Sequence, residues 1–158
     1  MERIALFPGT FDPITLGHTD IIDRSLPLFD KVYIGIGRNN NKQPMFDEQR
    51  RLDWINDIYG KDERVEGIIY EGLTADCCKK IGAGFIIRGI RYVSDFEYEK
   101  AIADMNRNLA PDIETVFLTC LPQYTSIAST LVRDVLKYGG DVSCFLPDAV
   151  NRSLANIR

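Results

Sequence analysis

Short, near-continuous apolar runs alternate with segments of helical period along this chain, and that alternation limits the fold more than any other feature. The runs are Arg3–Phe7 (RIALF), Lys31–Gly37 (KVYIGIG), Val65–Tyr70 (VEGIIY), Gly84–Ile87 (GFII) and Thr115–Thr119 (TVFLT). Unbroken apolar strands of this kind belong to parallel sheets covered on both faces. Between them, apolar spacing predicts helices over Gly17–Phe29, with Ile21, Ile22, Leu26 and Phe29 on one side, over Asp47–Tyr59, with Leu52, Ile55 and Tyr59 in register, and over Thr74–Ile81. A longer helix opens on the capping-box pattern Ser94-Asp95-Phe96-Glu97 and carries Tyr98, Ile102, Met105 and Leu109 along one face. Two more run from about Ser129 to Tyr138 and from Pro147. Strict βα alternation predicts an α/β fold, a doubly wound, Rossmann-like, five-stranded parallel sheet. Right-handed crossovers with a chain reversal after the third strand give the order 3-2-1-4-5. The ligand crevice then lies beyond the carboxyl ends of strands 1 and 4. At 158 residues, without repeats or linkers, a single domain (1–158) is expected.

The residues just past each strand share a character. Strand 1 runs into FPGTFDPITLGH (Phe7–His18), with Gly9, Thr10, Asp12 and the chain's only histidine, His18, at the start of a helix. Strand 2 is followed by Arg38, three asparagines and Lys42, and strand 4 by Arg88, Gly89 and Arg91. Strand 5 leads to PQYTSIAST (Pro122–Thr130), a hydroxyl-rich loop opening a helix. Singly, each has an ordinary structural explanation: glycine turns, helix caps, surface ion pairs, a solvated lysine. Gathered at one edge of a chain with net charge −4, they point to a small phosphate-bearing ligand. The acidic balance, with pI about 5.0, speaks against nucleic acid as a partner. Neither GxxxxGK[ST] nor GxGxxG occurs, which disfavours a P-loop or dinucleotide site. Four cysteines without a CxxC pair, and a single histidine, assemble no zinc set. Scattered cysteines of this kind predict the cytoplasm. No apolar run approaches the roughly 20 residues of a membrane span. The opening MERIALFPG lacks the basic flank and long apolar stretch of a secretion signal, so no membrane partner is expected.

TLGH (Thr15–His18), within its FPGTFDPITLGH opening, is followed in order by KQPMF (Lys42–Phe46), IIRGIR (Ile86–Arg91), DFEYE (Asp95–Glu99), MNRNLAP (Met105–Pro111) and GDVSCFLP (Gly140–Pro147). Over nearly the whole chain this set resembles the bacterial phosphopantetheine adenylyltransferase family, of the nucleotidyltransferase superfamily with its T/HxGH signature. The resemblance implies transfer of AMP from ATP to 4′-phosphopantetheine, giving 3′-dephospho-coenzyme A and pyrophosphate in coenzyme A biosynthesis. It implies His18, Lys42 and Arg91 as catalytic residues. It assigns Thr10, Phe11, His18, Gly89, Ile90, Arg91 and Glu99 to ATP, together with Tyr124, Thr125, Ser126, Ile127, Ala128, Ser129 and Thr130. Thr10, Lys42, Thr74 and Arg88 fall to phosphopantetheine. Mg²⁺ on the pyrophosphate and a homohexamer are implied as well, with no metal ligand assigned to the protein. The family's ISSS stands here as IAST (Ile127–Thr130), so Ala128 offers backbone only, and Asn39 replaces a frequent serine.

The implied chemistry suits what the sequence lacks. A phosphate monoester with a second pKa near 6 arrives mostly ionised, so no general base is required. Alignment and neutralisation of crowded oxygens remain, the usual content of phosphoryl-type transfer. Two other readings compete: a sister adenylyl- or cytidylyltransferase acting on another phosphate such as nicotinate mononucleotide, and a non-catalytic nucleotide sensor. The match beyond strand 4 and the pairing of Lys42 with Arg88 disfavour the first. The intact TxGH disfavours the second.

Overall fold

The computed structural model describes residues 1–38, 41 and 43–156. Asn39 and Lys42, both singled out above, lie outside the described residues. Among the described residues, strands β1 (Ile4–Gly9), β2 (Lys31–Gly37), β3 (Val65–Tyr70), β4 (Phe85–Ile90) and β5 (Glu114–Thr119) alternate with helices α1 (Leu16–Ser25), α2 (Glu48–Tyr59), α3 (Thr74–Ile81) and α4 (Val93–Leu109); α5 (Ser129–Lys137) and α6 (Asp148–Ala155) follow. The strands form one sheet of order β3-β2-β1-β4-β5, every pairing parallel, as the alternation predicts. Successive side chains point to opposite faces. Phe7, Ile34, Ile36 and Ile87 pack into a core with Ile21 and Ile22 of α1, Trp54 and Ile55 of α2, Val132 of α5 and Val150 of α6. Leu6 and Ile86 face the other way, onto Ala75, Cys77 and Cys78 of α3.

Four of the boundaries that differ from expectation have a clear physical reason. β1 continues to Gly9, because Pro8 and Gly9 still pair with Gly35 and Ile36 of β2. β4 continues to Ile90 along β5, which makes Arg88 and Gly89 strand residues and not loop residues. Between β1 and β4 the register holds only Ala5 to Phe85 and Leu6 to Ile86. Beyond Leu6 the two central strands part, where Pro8 has no N–H to offer. The crevice therefore begins inside the sheet. α1 stops at Ser25, and not at Phe29, since Pro27 cannot continue it, although Phe29 stays buried. The N-cap of α4 is Tyr92, two residues before the Ser94 of the expected box: the Asp95 carboxylate accepts the N–H groups of Arg91 (3.0 Å) and Tyr92 (3.2 Å) and takes the capping role.

α4 also differs in what its apolar residues touch. Among its described residues only Glu99 is buried. Val93, Tyr98, Ile102, Met105 and Leu109 are exposed, Met105 by 62% and Tyr98 by 69%. Among the described residues no helix is long and apolar enough to cross a membrane.

Candidate active site

Two cavities open at the carboxyl edge of the sheet, of about 550 and 560 Å³. They share a wall made of Pro8, Gly9, Thr10, Arg88 and Glu99. Thr74, at the start of α3, lines the first cavity together with Ile102 and Asn106. Phe11, His18, Gly89, Arg91 and the Ile127–Thr130 turn line the second. The residues assigned to the acceptor (Thr10, Thr74, Arg88) thus fall on one cavity, and most of those assigned to ATP on the other. Ile90, Tyr124, Thr125 and Ser126 stand off both walls: the Ile90 carbonyl accepts from Cys120 N–H, and Pro122–Tyr124 forms a 3-10 turn. Phe11 lines the second cavity although the residue as a whole is only 2% exposed.

His18 is built into the site from three sides. The backbone N–H of Thr15 donates to its Nδ1 at 3.0 Å, and the Thr15 hydroxyl lies 3.1 Å from the same atom. The rings of Phe11 and Phe7 meet the imidazole edge-on, at 5.0 and 6.4 Å between centroids. An amide donor at Nδ1 requires a lone pair there, so the proton of the neutral ring sits on Nε2. Burial, then the charges of Arg88 and Arg91, push the His18 pKa down to about 4. The residue therefore offers a neutral, fixed Nε2–H donor across the physiological range.

That depression sets a stability slope. An unfolded histidine takes up its proton near pH 6.5, and the folded one only near 4, so stability is lost as pH falls through that window. The loss should reach about 3 kcal/mol by pH 4. Thermal unfolding measured from pH 7 to 4 checks it, and a His18→Ala variant should lack this part of the slope. Activity should stay level between about pH 6.5 and 8, above the range in which the ring charges.

Each arginine facing the cavities is held by a carboxylate. Arg88 donates from Nε and Nη2 to the two oxygens of Glu99 at 2.7 and 2.6 Å, and from Nη1 to the Pro8 carbonyl at 2.7 Å. Three of its five N–H groups are used, leaving one on each terminal nitrogen. Glu99 is thus committed to Arg88. Arg91 lies 3.4 Å from Asp95, and Arg133 lies 3.9 Å from Asp12. The site gains rigidity from these pairs more than net positive charge, which suits a surface preorganised for phosphate oxygens. Of the carboxylates facing the cavities, Glu99, Asp95 and Asp12 are taken up in these pairs and Glu71 lies 3.9 Å from Arg38, and no cluster of three metal-ligating side chains occurs among the described residues. They do not make a protein cage for Mg²⁺, an ion that otherwise travels on substrate phosphates.

The hydroxyl loop is anchored as well as open. Ser129 Oγ donates to the Pro13 carbonyl at 2.8 Å, tying α5 to the β1–α1 loop, while Thr130 is exposed on the cavity and accepts from Arg133 at 3.3 Å. Arg133 is absent from the residues expected of the sequence. Its position one helical turn after Ser129 is the signal that marks it, because i and i+4 share a face. Asp12 and Arg51 were likewise without an assigned role, and both are buried beside the site.

Cys120 lines the second cavity, whereas Cys77 and Cys78 lie away from both. Cys77 and Cys78 are buried in α3, and burial pushes both thiols up, Cys78 to about 12. Alanine at both positions should leave turnover within a few-fold, measured by steady-state kinetics. A large loss with the fold intact would reveal chemistry there.

A profile of the cytidylyltransferase-like family matches residues 6–135. Two solved structures share the fold. One, assigned as a nicotinate-nucleotide adenylyltransferase of Vibrio parahaemolyticus, superposes with a TM-score of 0.69 at 24% identity, covering 98% of this chain and 99% of that one. The other, a bifunctional NMN adenylyltransferase/ADP ribose pyrophosphatase of Francisella tularensis, gives 0.71 at 18% identity, with 92% and 45% covered. Fold, crevice and TxGH turn define a nucleotidyltransferase of the cytidylyltransferase-like class. Proteins named phosphopantetheine adenylyltransferase are 52% identical in Flavobacterium psychrophilum, over 94% of this chain and 97% of the relative, and 44% identical in Stenotrophomonas maltophilia, over 99% and 93%. The chain belongs to the phosphopantetheine adenylyltransferase family.

Proposed function

We propose that this protein transfers AMP from ATP to 4′-phosphopantetheine, forming 3′-dephospho-coenzyme A and pyrophosphate, a step of coenzyme A biosynthesis. An oxygen of the acceptor phosphate forms a bond to the α-phosphorus of ATP, and the bond from that phosphorus to the bridging oxygen of pyrophosphate breaks. The acceptor is mostly ionised at neutral pH, so no side chain has to remove a proton. ATP lies in the cavity of His18, Gly89, Arg91 and Ser129–Thr130, and phosphopantetheine in that of Thr74 and Arg88. The reacting phosphates meet at the shared wall of Thr10 and Arg88. The observation that carries this reading is His18 Nε2–H, a neutral donor fixed in place by the Thr15 amide. Held before the reaction, it favours the charge that builds on the α-phosphate oxygens in transit. Lys42 and Arg91 add positive charge there in the proposal.

Mg²⁺ bound with the triphosphate would supply charge neutralisation on the pyrophosphate, with no cluster of side chains among the described residues to hold it apart from the substrate. The protein works in the cytoplasm as a homohexamer. The exposed apolar face of α4 supports self-association, because contiguous patches of this kind rarely stay bare. Light scattering tests the assembly.

Incubation with ATP and a panel of phosphorylated acceptors, with pyrophosphate as the readout, tests the reaction. Release should appear with phosphopantetheine and stay at background with nicotinate mononucleotide. The reverse preference would move the protein to a sister activity, and tight ATP binding without release would make it a sensor.

A further inference from the structure

Two oppositely charged side chains are buried beside the site with their hydrogen bonds made to backbone groups. Asp12, 2% exposed on the β1–α1 loop, accepts the backbone N–H groups of Met45 and Phe46 at 2.8 and 2.9 Å. Arg51, 5% exposed on α2, donates from Nη1 to the Thr10 carbonyl at 2.7 Å and from Nε to the carbonyls of Phe46 (3.0 Å) and Asp47 (3.3 Å). The bonds cross between the same two chain segments, residues 10–12 and 43–47. A third contact brings in α5, through Arg133 Nη1 on the Asp12 carbonyl at 2.7 Å. Between Thr10 and Asp12, Phe11 adopts φ 49°, a left-handed conformation that is unfavourable for a non-glycine residue and persists where the surroundings fix it.

Buried charge is a poor route to stability, because well-packed apolar groups of similar volume usually do as well. What a two-way set of charge-assisted bonds supplies is a defined position. We propose that Asp12 and Arg51 are positioning residues, a reciprocal clamp that fixes residues 43–47 against the turn of residues 10–18. The segment follows Lys42 directly in sequence. The clamp rests on the adenylyl-transfer reading for its effect on rate, and not for its existence.

Asp12→Asn and Arg51→Lys test it. The first turns one acceptor oxygen into an NH₂ facing a backbone N–H. The second keeps the charge but has no fork to span two carbonyls. In both, the half-saturating phosphopantetheine concentration should rise at least about tenfold and kcat should fall by a similar factor, with the ATP value within about threefold. Trp54, the only tryptophan, meets the Phe46 ring edge-on at 4.9 Å, so its emission in substrate-free protein should move to longer wavelength as the segment loosens. Tyr59→Phe removes a buried hydrogen bond to Asp23 (3.0 Å) and serves as the stability control, expected to lower Tm with the kinetics unchanged. The clamp is rejected if both variants behave like that control, with lowered Tm, unaltered kinetics and unmoved emission, or if both substrates weaken equally. Should Asp12→Asn fail to fold, Arg51→Lys decides alone on the same criteria. Should the wild type release no pyrophosphate, the reaction reading fails, and the emission comparison still decides the clamp: a shift supports it and no shift rejects it.

Discussion

Replacing His18 with alanine lowers turnover at least about 100-fold while ATP affinity falls by less than about tenfold. The split follows from how the ring is held. Thr15 N–H fixes Nδ1, and Phe7 and Phe11 fix the ring plane, so Nε2–H has no freedom left to lose when charge gathers on the α-phosphate. A donor of this kind acts mainly in the transition state, and removing one typically costs about 2.7–4 kcal/mol there. Ground-state ATP retains the amides of the helix terminus and Arg91, which limits the loss of binding. Steady-state kinetics and ATP calorimetry on one preparation measure both quantities. Near-normal turnover would take the central residue out of the mechanism.

Arg88→Ala should raise the half-saturating phosphopantetheine concentration at least about tenfold, with ATP changed much less, and should also destabilise the fold. The first effect comes from the two N–H groups left over after the bonds to Glu99 and Pro8. The second comes from Glu99, which is 8% exposed and would keep a carboxylate without its fork. Breaking a buried pair by removing one partner costs about 3–5 kcal/mol, and the lower end applies because the guanidinium keeps some exposure. Glu99 is also the only buried residue among those described in α4, so loosening of that helix should accompany the loss. Adding Glu99→Gln should restore part of the Tm and none of the acceptor binding. Equal weakening of both substrates would reject the assignment to the acceptor, and an unchanged Tm would reject the structural half.

What could be read in the sequence follows from which interactions leave a local pattern. Strand order was legible because each strand is a short apolar run and each crossover a helical period. The site edge was legible because hydroxyls and cations recur at the strand ends of an acidic chain. Partners are different. Nothing local links Arg88 to Glu99 and to the carbonyl of Pro8, or Arg51 to the carbonyl of Thr10, since these meet only once the chain has folded. The apolar face of α4 shows why periodicity misleads about burial: spacing defines a face and says nothing of what covers it. In α1, Pro27 marked the true end, but apolar Phe29 continued the pattern past it because the chain stays buried after leaving the helix. The familial motif supplied His18. Its hydrogen-bond partner, and with it the tautomer, needed the folded turn.

In the proposed reaction AMP moves directly from ATP to the acceptor phosphate, by alignment and charge stabilisation and without a protein nucleophile or base. ATP labelled at the α-phosphate tests it in one measurement, by following the label through a single turnover with phosphopantetheine present. All of the label leaving ATP should appear in dephospho-coenzyme A, matched one for one by pyrophosphate, with none on the precipitated protein. Label retained on the protein, or released as free AMP, would contradict it.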